Sequence, residues 1–436
     1  MKILILGADG RAHTFCWKIS QSALCSELFI APGNAGTSQC GKNINIDISD
    51  FNAIRALCLN NKIDLVLVGP EEPLVKGIYD FFKKEKALRH IIITGPSADG
   101  ARLEGSKAFA KAFMKRNNIP TAPYKEFSAE TFEEGLTYLK NHELPVVLKA
   151  DGLAGGKGVL ICHNHIEAMG EYELIIQKSK FGEAGKKMVV ENFLDGIEMS
   201  VFILTDGKDY VLLPEAKDYK KIMEGDTGLN TGGMGAVSPV PFATESFMEK
   251  VREKIIIPTI EGLQKENIDY KGFIFFGLIK VNNEPIVIEY NCRMGDPETE
   301  VVLLRLKNDL LKLLVAADKQ QLHLEKIEID ERSAATIVAV SEGYPLEYKT
   351  GLNIDFGYLE NPHIKKYIQK DGGVMVFHGG TKEENGEIVT NGGRVLAVSS
   401  LAETLLEAID RSKEILEQIH FDGMYYRTDI GYEFIE

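Results

Sequence analysis

The chain has 436 residues, of which 44% are hydrophobic and 26% are charged. This length is more than one hydrophobic core usually serves, so we expect two to four domains. The formal net charge of −14 argues against a nucleic-acid-binding chain, and no apolar run approaches the roughly 18 residues of a membrane span. The six cysteines show no C-x-x-C spacing, which is typical of reduced thiols in the cytoplasm.

The first hundred residues alternate between apolar strands and helices, with helices predicted near 11–22, 50–60 and 75–87. This rhythm predicts a doubly wound parallel sheet. The dinucleotide fingerprint G-x-G-x-x-G fails, because Asp9 and Ala12 replace its second and third glycines. Three loops, "GADGR", "PGNAGT" and "GPEEP", should still meet at the carboxyl edge of the sheet. They suit a phosphorylated metabolite, or they are only tight turns.

The middle of the chain reads as α+β and contains the stretch "LPVVLKADGLAGGKGVLIC" at residues 144–162. A phosphate loop would need a glycine at Asp151 and a hydroxyl residue at Gly158. The flanking apolar, β-branched runs instead predict two strands joined in a hairpin. A glycine-rich tip of this kind can close over phosphates with its N–H groups while Lys157 adds a positive charge, or it is a simple turn.

The segment "IVIEYNCR" places Glu289 and Asn291 on one face of a strand, with Ile288 and Tyr290 on the other. Carboxylate and amide oxygens are hard ligands that suit magnesium bridging nucleotide phosphates. Arg293 continues the same face and could meet phosphate oxygens. The alternative is an edge strand with a solvated polar face.

The run "DPETEVVLLRLKNDLLKLLVAA" predicts one long helix, with Asp296 as its N-cap and Pro297 at the first helical position. The remaining segment combines the strand "AATIVAV", a hairpin-like stretch from "GGVMVFHGG" to "EIVTNGGRVLAVSS", and the helix "LAETLLEAIDRSKEILEQI". This pattern predicts a small α+β domain at the end of the chain.

Several motifs occur in the order found in one known family: "KADGLAGGKGV", "NTGGMGAVSPV", "IEYNCRMGDPETE" and "TNGGRVLAV". Together with "APGNAGT", "VGPEEPLVKG" and "LEGSKAF", they extend over nearly the whole chain. The chain therefore resembles the glycinamide ribonucleotide synthetase family of the ATP-grasp superfamily. The resemblance implies an N-terminal α/β domain (1–103), an ATP-grasp domain (104–328, with a lid subdomain at about 122–192) and a C-terminal domain (329–436).

The same resemblance implies an activity. The expected reaction joins glycine to 5-phosphoribosylamine at the expense of ATP, through a glycyl phosphate, as the second step of purine biosynthesis. ATP is the expected co-substrate and Mg²⁺ the expected metal, with Mn²⁺ as an alternative. The expected partners are these small molecules, with no nucleic acid and no membrane, and the expected form is a monomer in the cytoplasm.

The resemblance also assigns roles to individual residues. Nucleotide binding is expected of Lys107, Lys149, Gly155, Gly156, Lys157, Gly158, Glu191, Phe193, Leu194 and Glu198. Metal binding is expected of Glu289 and Asn291, and catalytic roles of Lys157, Asp218 and Arg293. Substrate contacts are expected of Gly10, Gly33, Asn34, Gly36, Thr37, Glu71, Asp218, Gly392, Gly393 and Arg394.

Three positions depart from the family's usual motifs. Asp9 brings a carboxylate near a proposed phosphate, which is unfavourable unless it meets a cation. "KDYKK" at 217–221 keeps Asp218 and Lys220 but changes the residue between them to Tyr219, and Asn192 stands where glutamate is common. Two other functions stay open: a sibling ATP-grasp ligase or carboxylase, and a nucleotide-binding regulatory protein without catalysis.

Overall fold

The computed structural model describes residues 1–153, 158–178, 180, 182–359 and 373–435. The first part contains β1 (Lys2–Gly7), α1 (Gly10–Ser20), β2 (Glu27–Pro32), β3 (Lys42–Asn43), α2 (Phe51–Asn61), β4 (Leu65–Val68), α3 (Glu71–Val75), α4 (Ile78–Lys84), β5 (Ile92–Pro96) and α5 (Ala98–Gly105). The helix expected near 75–87 is instead the pair α3 and α4, because Gly77, with φ of 84°, turns the chain between them.

The middle part contains α6 (Lys107–Arg116), β6 (Tyr124–Ser128), α7 (Phe132–Lys140), β7 (Val146–Ala150), β8 (Val159–Cys162), α8 (His165–Ile176), β9 (Lys187–Asn192), β10 (Ile197–Thr205), β11 (Tyr210–Leu212), β12 (Lys217–Asp218), β13 (Lys221–Met223), β14 (Thr227–Asn230), β15 (Gly235–Ser238), α9 (Glu245–Val251), α10 (Ile257–Lys265), β16 (Tyr270–Val281), β17 (Glu284–Asn291), α11 (Glu298–Arg305) and α12 (Leu310–Asp318). The last part contains β18 (Ser333–Val340), β19 (Asp355–Phe356), β20 (Val374–His378), β21 (Thr381–Glu384), β22 (Glu387–Thr390), β23 (Arg394–Ala402), α13 (Leu405–Leu416) and β24 (Ile419–His420). Within the described ranges, no helix has both the length and the apolar character needed to cross a membrane.

The N-terminal strands form the expected parallel sheet, in the order β3-β2-β1-β4-β5. Alternate residues of β1 enter two different cores: Leu4 and Leu6 belong to one, and Ile3 and Ile5 belong to the other. All four are fully buried. A strand covered on both faces must be apolar throughout, which explains the continuous run "ILIL".

This sheet does not end at β5. Strand β16 pairs antiparallel with β5 through Tyr270 opposite Pro96 and Lys271 opposite Gly95, and β10, β11 and β17 extend the sheet to nine strands. A Cβ on Gly272 would lie 2.9 Å from the Gly95 nitrogen, so glycine is needed where the two backbones meet. The strands that carry the loops of the first domain and strand β17, which carries the polar face, therefore belong to one sheet.

The glycine-rich hairpin is confirmed on both sides of its tip. Strands β7 and β8 pair antiparallel within a four-stranded sheet of order β6-β9-β7-β8. Helices α7 and α8 pack against one face, where Leu148, Val190 and Tyr172 are buried together. The tip at 154–157 lies outside the described residues.

The single long helix predicted after Asp296 is wrong. Helix α11 ends at Arg305, and the backbone of the next residue, Leu306, is extended. Asp309 then caps the start of α12 by accepting a hydrogen bond from the Lys312 N–H. Pro297 occupies the N-cap position of α11 with no side-chain cap. The chain leaves the helix because Leu306 forms a β-bridge with Ile329, a tertiary contact that the helical pattern does not contain.

The last domain is built on a sheet of order β12-β15-β18-β23-β20, with α13 packed on β18 and β23. Strands β12 and β15 come from the middle of the chain, so this sheet joins the last domain to the segment that contains Asp218. The predicted hairpin is present as β20 and β23, with the smaller hairpin β21–β22 between them.

Candidate active site

A cavity of about 510 Å³ lies between the first and last domains. Its wall is formed by the loops that follow β1, β2 and β4, which contribute Gly7–Gly10, Pro32 and Pro70, and by Gly379, Gly380 and Arg394 across the cavity. The three glycine-rich loops therefore do meet at the carboxyl edge of the parallel sheet.

The loop after β2 is held by the side chain of Asn34. Its Nδ2 donates to the carbonyls of Ala8 (2.8 Å) and His378 (2.7 Å), which connects the first domain to the last. Its Oδ1 accepts from the N–H groups of Gly36 (2.9 Å) and Thr37 (3.0 Å). A Cβ on Gly33 would lie 2.3 Å from Asn43 Oδ1, so the tight path of this loop requires glycine there.

Arg394 lies opposite these loops and is paired with Asp296. Its Nη1 is 3.0 Å from Asp296 Oδ1 and donates to the backbone oxygens of Asp296 (2.7 Å) and Gly232 (2.8 Å). Its side chain remains 23% exposed, so the guanidinium can still contact a ligand. Asp296, expected as a helix cap, instead serves as the counter-ion of an arginine far along the chain.

The two glycines before Arg394 allow close packing. A Cβ on Gly392 would lie 2.9 Å from the Gly380 Cα, and one on Gly393 would lie 2.2 Å from the Tyr344 ring. Larger residues would push Arg394 away from the cavity.

Asp9 does meet a cation. It caps α1 by accepting from the Ala12 N–H (2.9 Å) and pairs with Arg11 Nη2 at 2.6 Å. Burial opposes ionisation of Asp9, but Arg11 and the Ala12 N–H outweigh it and lower the pKa of the carboxyl. The carboxylate is therefore neutralised by Arg11.

Strand β17 carries the expected polar face, with Glu289 opposite Gly277 and Asn291 opposite Phe275 on β16. A Cβ on Gly277 would approach Glu289 Cγ to 3.0 Å, so glycine makes room for the carboxylate. Burial opposes its ionisation, but Lys220, Lys149, Lys107 and Arg293 together lower the pKa of Glu289. An ionised carboxylate amid four cations suits a site where a metal and phosphates share charge.

Asn291 lies beside the carboxylate and is only 7% exposed. Its Oδ1 accepts from Arg293 Nη2 at 3.3 Å, and its Nδ2 is buried without a hydrogen-bond partner among the described residues. Glu289 and Asn291 thus offer hard oxygen atoms, and an unsatisfied buried amide beside them indicates a site made for a ligand. These residues fit a divalent metal held jointly with phosphate oxygens.

Arg293 is fixed by two carboxylates. Its Nη2 is 2.8 Å from Glu104 Oε1, and its Nε is 3.3 Å from Glu71 Oε2. Glu104 also accepts from the Cys292 N–H at 2.8 Å and from its thiol, so it holds two consecutive residues of this segment. Sequence reasoning placed Glu71 with the substrate and missed Glu104, although Glu104 stands in the quoted motif "LEGSKAF". Burial raises the pKa of the Cys292 thiol, as expected for a packed core residue.

Glu191 lies between two buried lysines. Its carboxylate is 2.9 Å from Lys111 Nζ and 3.0 Å from Lys149 Nζ, and each of the three side chains is at most 5% exposed. Lys149 also donates to the Ile288 carbonyl (3.1 Å), one residue before Glu289. Lys111 was missed, although it lies one helical turn after Lys107 on the same helix.

The other expected nucleotide-binding residues surround this cluster. Lys107 Nζ donates to the Gly152 carbonyl at 3.3 Å, and the Gly158 carbonyl accepts from the Ala150 N–H at 2.8 Å. Phe193 is 37% exposed, directly after β9, and Leu194 is half-buried. Glu198 pairs with Lys220 at 2.8 Å, and Lys220 lowers its pKa. Gly155, Gly156 and Lys157 lie outside the described residues.

Asp218 lies close to the same cations, with its Oδ1 3.9 Å from Lys220 Nζ. Burial raises its pKa, and burial followed by the charge of Asp218 raises the pKa of Glu298 to about 7. Tyr219, which departs from the family motif, is buried and donates to Glu433 Oε2 at 2.8 Å. Its ring thus packs toward the end of the chain and leaves Asp218 and Lys220 in place.

Models of the family match the chain along most of its length. Three models described as phosphoribosylglycinamide synthetase match in turn: the N domain matches residues 1–104, the ATP-grasp (A) domain matches residues 105–299, and the C domain matches residues 334–433. Phosphoribosylamine–glycine ligase of Clostridium acetobutylicum is 44% identical over 431 residues, which span 99% of each chain. The Escherichia coli K12 enzyme of the same name is 42% identical over 440 residues, covering 100% of this chain and 99% of the relative.

Solved structures agree with these matches. Phosphoribosylamine–glycine ligase of Thermotoga maritima superposes with a TM-score of 0.83 at 32% identity, covering 98% of this chain and 100% of the other. The biotin carboxylase domain of Hydrogenobacter thermophilus 2-oxoglutarate carboxylase gives a TM-score of 0.73 at 18% identity, covering 98% and 91%, and shows the shared fold alone. The expected three-part ATP-grasp architecture is confirmed, and this chain belongs to the phosphoribosylglycinamide synthetase family.

Proposed function

We propose that this chain joins glycine to 5-phospho-D-ribosylamine, giving glycinamide ribonucleotide, ADP and phosphate. This is the second step of de novo purine biosynthesis. The observation that carries the proposal is the group of four cations around Glu289. They lie at the edge of a sheet, and loops from other strands of the same sheet line a separate cavity. Such an arrangement suits a nucleotide triphosphate beside a second, phosphorylated substrate.

The proposed chemistry has two steps. A glycine carboxylate oxygen attacks the γ-phosphorus of ATP, and the bond from that phosphorus to the ADP oxygen breaks. The phosphoribosylamine nitrogen then attacks the acyl carbon of glycyl phosphate, inorganic phosphate leaves, and the nitrogen gives up a proton. Transfer of a phosphoryl group needs mainly alignment and neutralisation of charge, which lysine and arginine side chains provide.

We propose roles from the family resemblance, supported for the described residues by the charges around them. Lys149 and Lys107 are proposed to contact ATP, with Glu191, Phe193 and Leu194 beside the base and Glu198 at its ribose. Arg293 is proposed to contact the transferred phosphoryl group. Asp218, a carboxyl next to Lys220, suits the ammonium group of glycine. Gly155, Gly156, Lys157 and Gly158 are proposed to cover the outer phosphates.

The metal is proposed to be Mg²⁺, with Mn²⁺ as an alternative, held by Glu289 and Asn291. When bound there, a divalent ion would neutralise charge on the phosphate oxygens that it shares with these two residues. Arg293 would complement it, because its guanidinium is already oriented beside Asn291.

Phosphoribosylamine is proposed to occupy the cavity between the first and last domains. Arg394, which follows Gly392 and Gly393, is the partly exposed cation on its wall and suits the substrate phosphate. Gly10 and the loop that contains Gly33, Asn34, Gly36 and Thr37 would border the sugar. Glu71, the first residue of α3, would act through its ion pair with Arg293.

We further propose that the chain acts as a monomer in the cytoplasm and that its domains meet near residues 103 and 328. Size-exclusion chromatography with light scattering would give the mass in solution, and about twice the 48.4 kDa of the chain would contradict the first point.

The decisive experiment measures ADP release with substrates omitted one at a time. Steady turnover should require ATP, glycine and phosphoribosylamine together, and the product should contain the glycyl amide. Turnover that depends on bicarbonate would favour a carboxylase, and ATP binding without ADP release in the complete mixture would favour a regulatory protein.

A further inference from the structure

Glu300 is a buried carboxyl group to which the described residues offer no hydrogen bond. It lies on α11, it is fully buried, and neither of its oxygens accepts a hydrogen bond from any described residue. Leaving a buried polar group unsatisfied costs about 1–3 kcal/mol, and more for a charged group. Such a group in a folded protein therefore calls for an explanation, and one common explanation is a ligand that completes its hydrogen bonds.

The position of Glu300 points to that ligand. The residue contributes to the wall of the cavity between the first and last domains, beside Gly10, Asp296 and Arg394. A Cβ on Gly10 would lie 2.4 Å from Glu300 Oε1 and 3.8 Å from Asp296 Oδ2, so a larger residue at position 10 would displace the carboxyl from its place at this wall. Asp296 is already paired with Arg394, whereas the oxygens of Glu300 accept no hydrogen bond within the part of the chain that the structure describes.

The charged residues around the cavity favour some ligand groups and disfavour others. Arg394 suits an anion, whereas Asp47 would repel one, and Asp9 and Asp296 are already paired with Arg11 and Arg394. A phosphorylated pentose has both features that this wall requires: a phosphate at one end and a pair of neighbouring hydroxyls a few bonds away. Burial, followed by the charge of Asp296, raises the pKa of Glu300 well above its usual value. A carboxylic acid can donate one hydrogen bond and accept another, which matches two adjacent hydroxyl groups.

We propose that Glu300 recognises the ring hydroxyls of the pentose substrate and thereby selects ribose over deoxyribose. The proposal rests on the cavity being the phosphoribosylamine site. Glu300 is a specificity-determining residue in this account, and the reacting atoms lie elsewhere, toward Arg293 and Asp218.

The test is calorimetric titration with two stable probes, ribose 5-phosphate and 2-deoxyribose 5-phosphate, on the full chain and on Glu300→Met and Glu300→Gln. The wild-type chain should bind ribose 5-phosphate about tenfold more tightly than the deoxy sugar, the value of one good hydrogen bond to a buried polar group. Glu300→Met should lose this preference, with its affinity for the deoxy sugar nearly unchanged. Glu300→Gln, whose amide can also donate and accept, should keep part of the preference.

Two further readouts separate recognition from a structural role. Methionine matches the shape of glutamate and needs no hydrogen bond, so Glu300→Met should unfold at the same or a higher temperature and bind ATP as the wild type does. A variant that melts earlier and binds both sugars equally poorly would overturn the proposal. If Glu300→Met kept the wild-type preference for ribose 5-phosphate, the role proposed for Glu300 would also be overturned, but the assignment of the cavity as the substrate site would not be affected. Failure of the wild type to bind ribose 5-phosphate would overturn the site assignment and this inference together.

Discussion

The buried cluster of Lys111, Glu191 and Lys149 makes a quantitative prediction for Glu191→Gln. The change removes the only negative charge of the three while keeping the shape of the side chain. Both lysines are within 3.0 Å of that carboxylate and at most 5% exposed, so water cannot replace it. Removing one partner of a buried ion pair typically costs about 3–5 kcal/mol of stability, and we expect a loss in this range at pH 7.

The loss should depend on pH because Lys111 can release its proton. Burial is the main cause that lowers the pKa of Lys111 to about 8, and Glu191 partly opposes it. The unfolded value is about 10.4, so this lysine disfavours folding below pH 8, and that penalty is relieved as the pH rises from 8 toward 10.4. Without Glu191 the folded pKa of Lys111 falls further, so at pH 7 the variant holds this proton less tightly than the wild type does. Protonation of Lys111 therefore makes the free energy of unfolding of the wild type about 1 kcal/mol larger than that of the variant at pH 7, and this contribution is close to zero at pH 9.

The assay is urea unfolding followed by far-ultraviolet circular dichroism at pH 7 and pH 9. Glu191→Gln should lose about 1 kcal/mol less stability at pH 9 than at pH 7, by the linkage above. The matched control is Glu134→Gln, since Glu134 pairs with Lys125 at 2.9 Å but both side chains are about half exposed. The free energy of unfolding of the control variant should differ from that of the wild type by at most about 1 kcal/mol at either pH. Equal losses at the two pH values, or a loss no larger than that of the control, would refute this account of the cluster.

Four further substitutions test the site. Glu289→Gln should raise the magnesium concentration needed for half-maximal turnover, and an unchanged titration would exclude Glu289 as a ligand. Arg394→Lys loses the planar guanidinium that can bind phosphate through two hydrogen bonds. The KM for phosphoribosylamine should therefore rise about tenfold, while the KM values for ATP and glycine stay constant. If all three KM values moved together, the result would contradict a local phosphate site. Glu104→Gln weakens the hold on Arg293 and should lower kcat by about 10- to 100-fold with KM for ATP nearly unchanged, whereas a wild-type kcat would show that Arg293 needs no positioning. Lys157→Met should lower kcat by about 100- to 1,000-fold, and a wild-type rate would reduce the hairpin tip to a turn.

Local pattern was enough for much of this protein. The alternation of strands and helices predicted the parallel sheet, and two β-branched runs around a glycine-rich tip predicted the β7–β8 hairpin. The side-chain period of two placed Glu289 and Asn291 on one face of a strand. These features depend on residues close in sequence, whose backbone preferences and burial pattern can be seen without knowing what lies opposite.

Tertiary structure alone decided which charges pair. Asp296 has the local features of a helix cap, but the structure places it against Arg394, almost a hundred residues later. Glu71 and Glu104 lie on helices that connect or follow strands of the N-terminal sheet, and both contact Arg293. They meet there because β16 pairs both with β5 of that sheet and with β17, the strand that precedes Arg293. No periodicity encodes such contacts. The energy of a buried charge depends on which groups surround it in space, and those groups are known only once the strands and loops have been packed together.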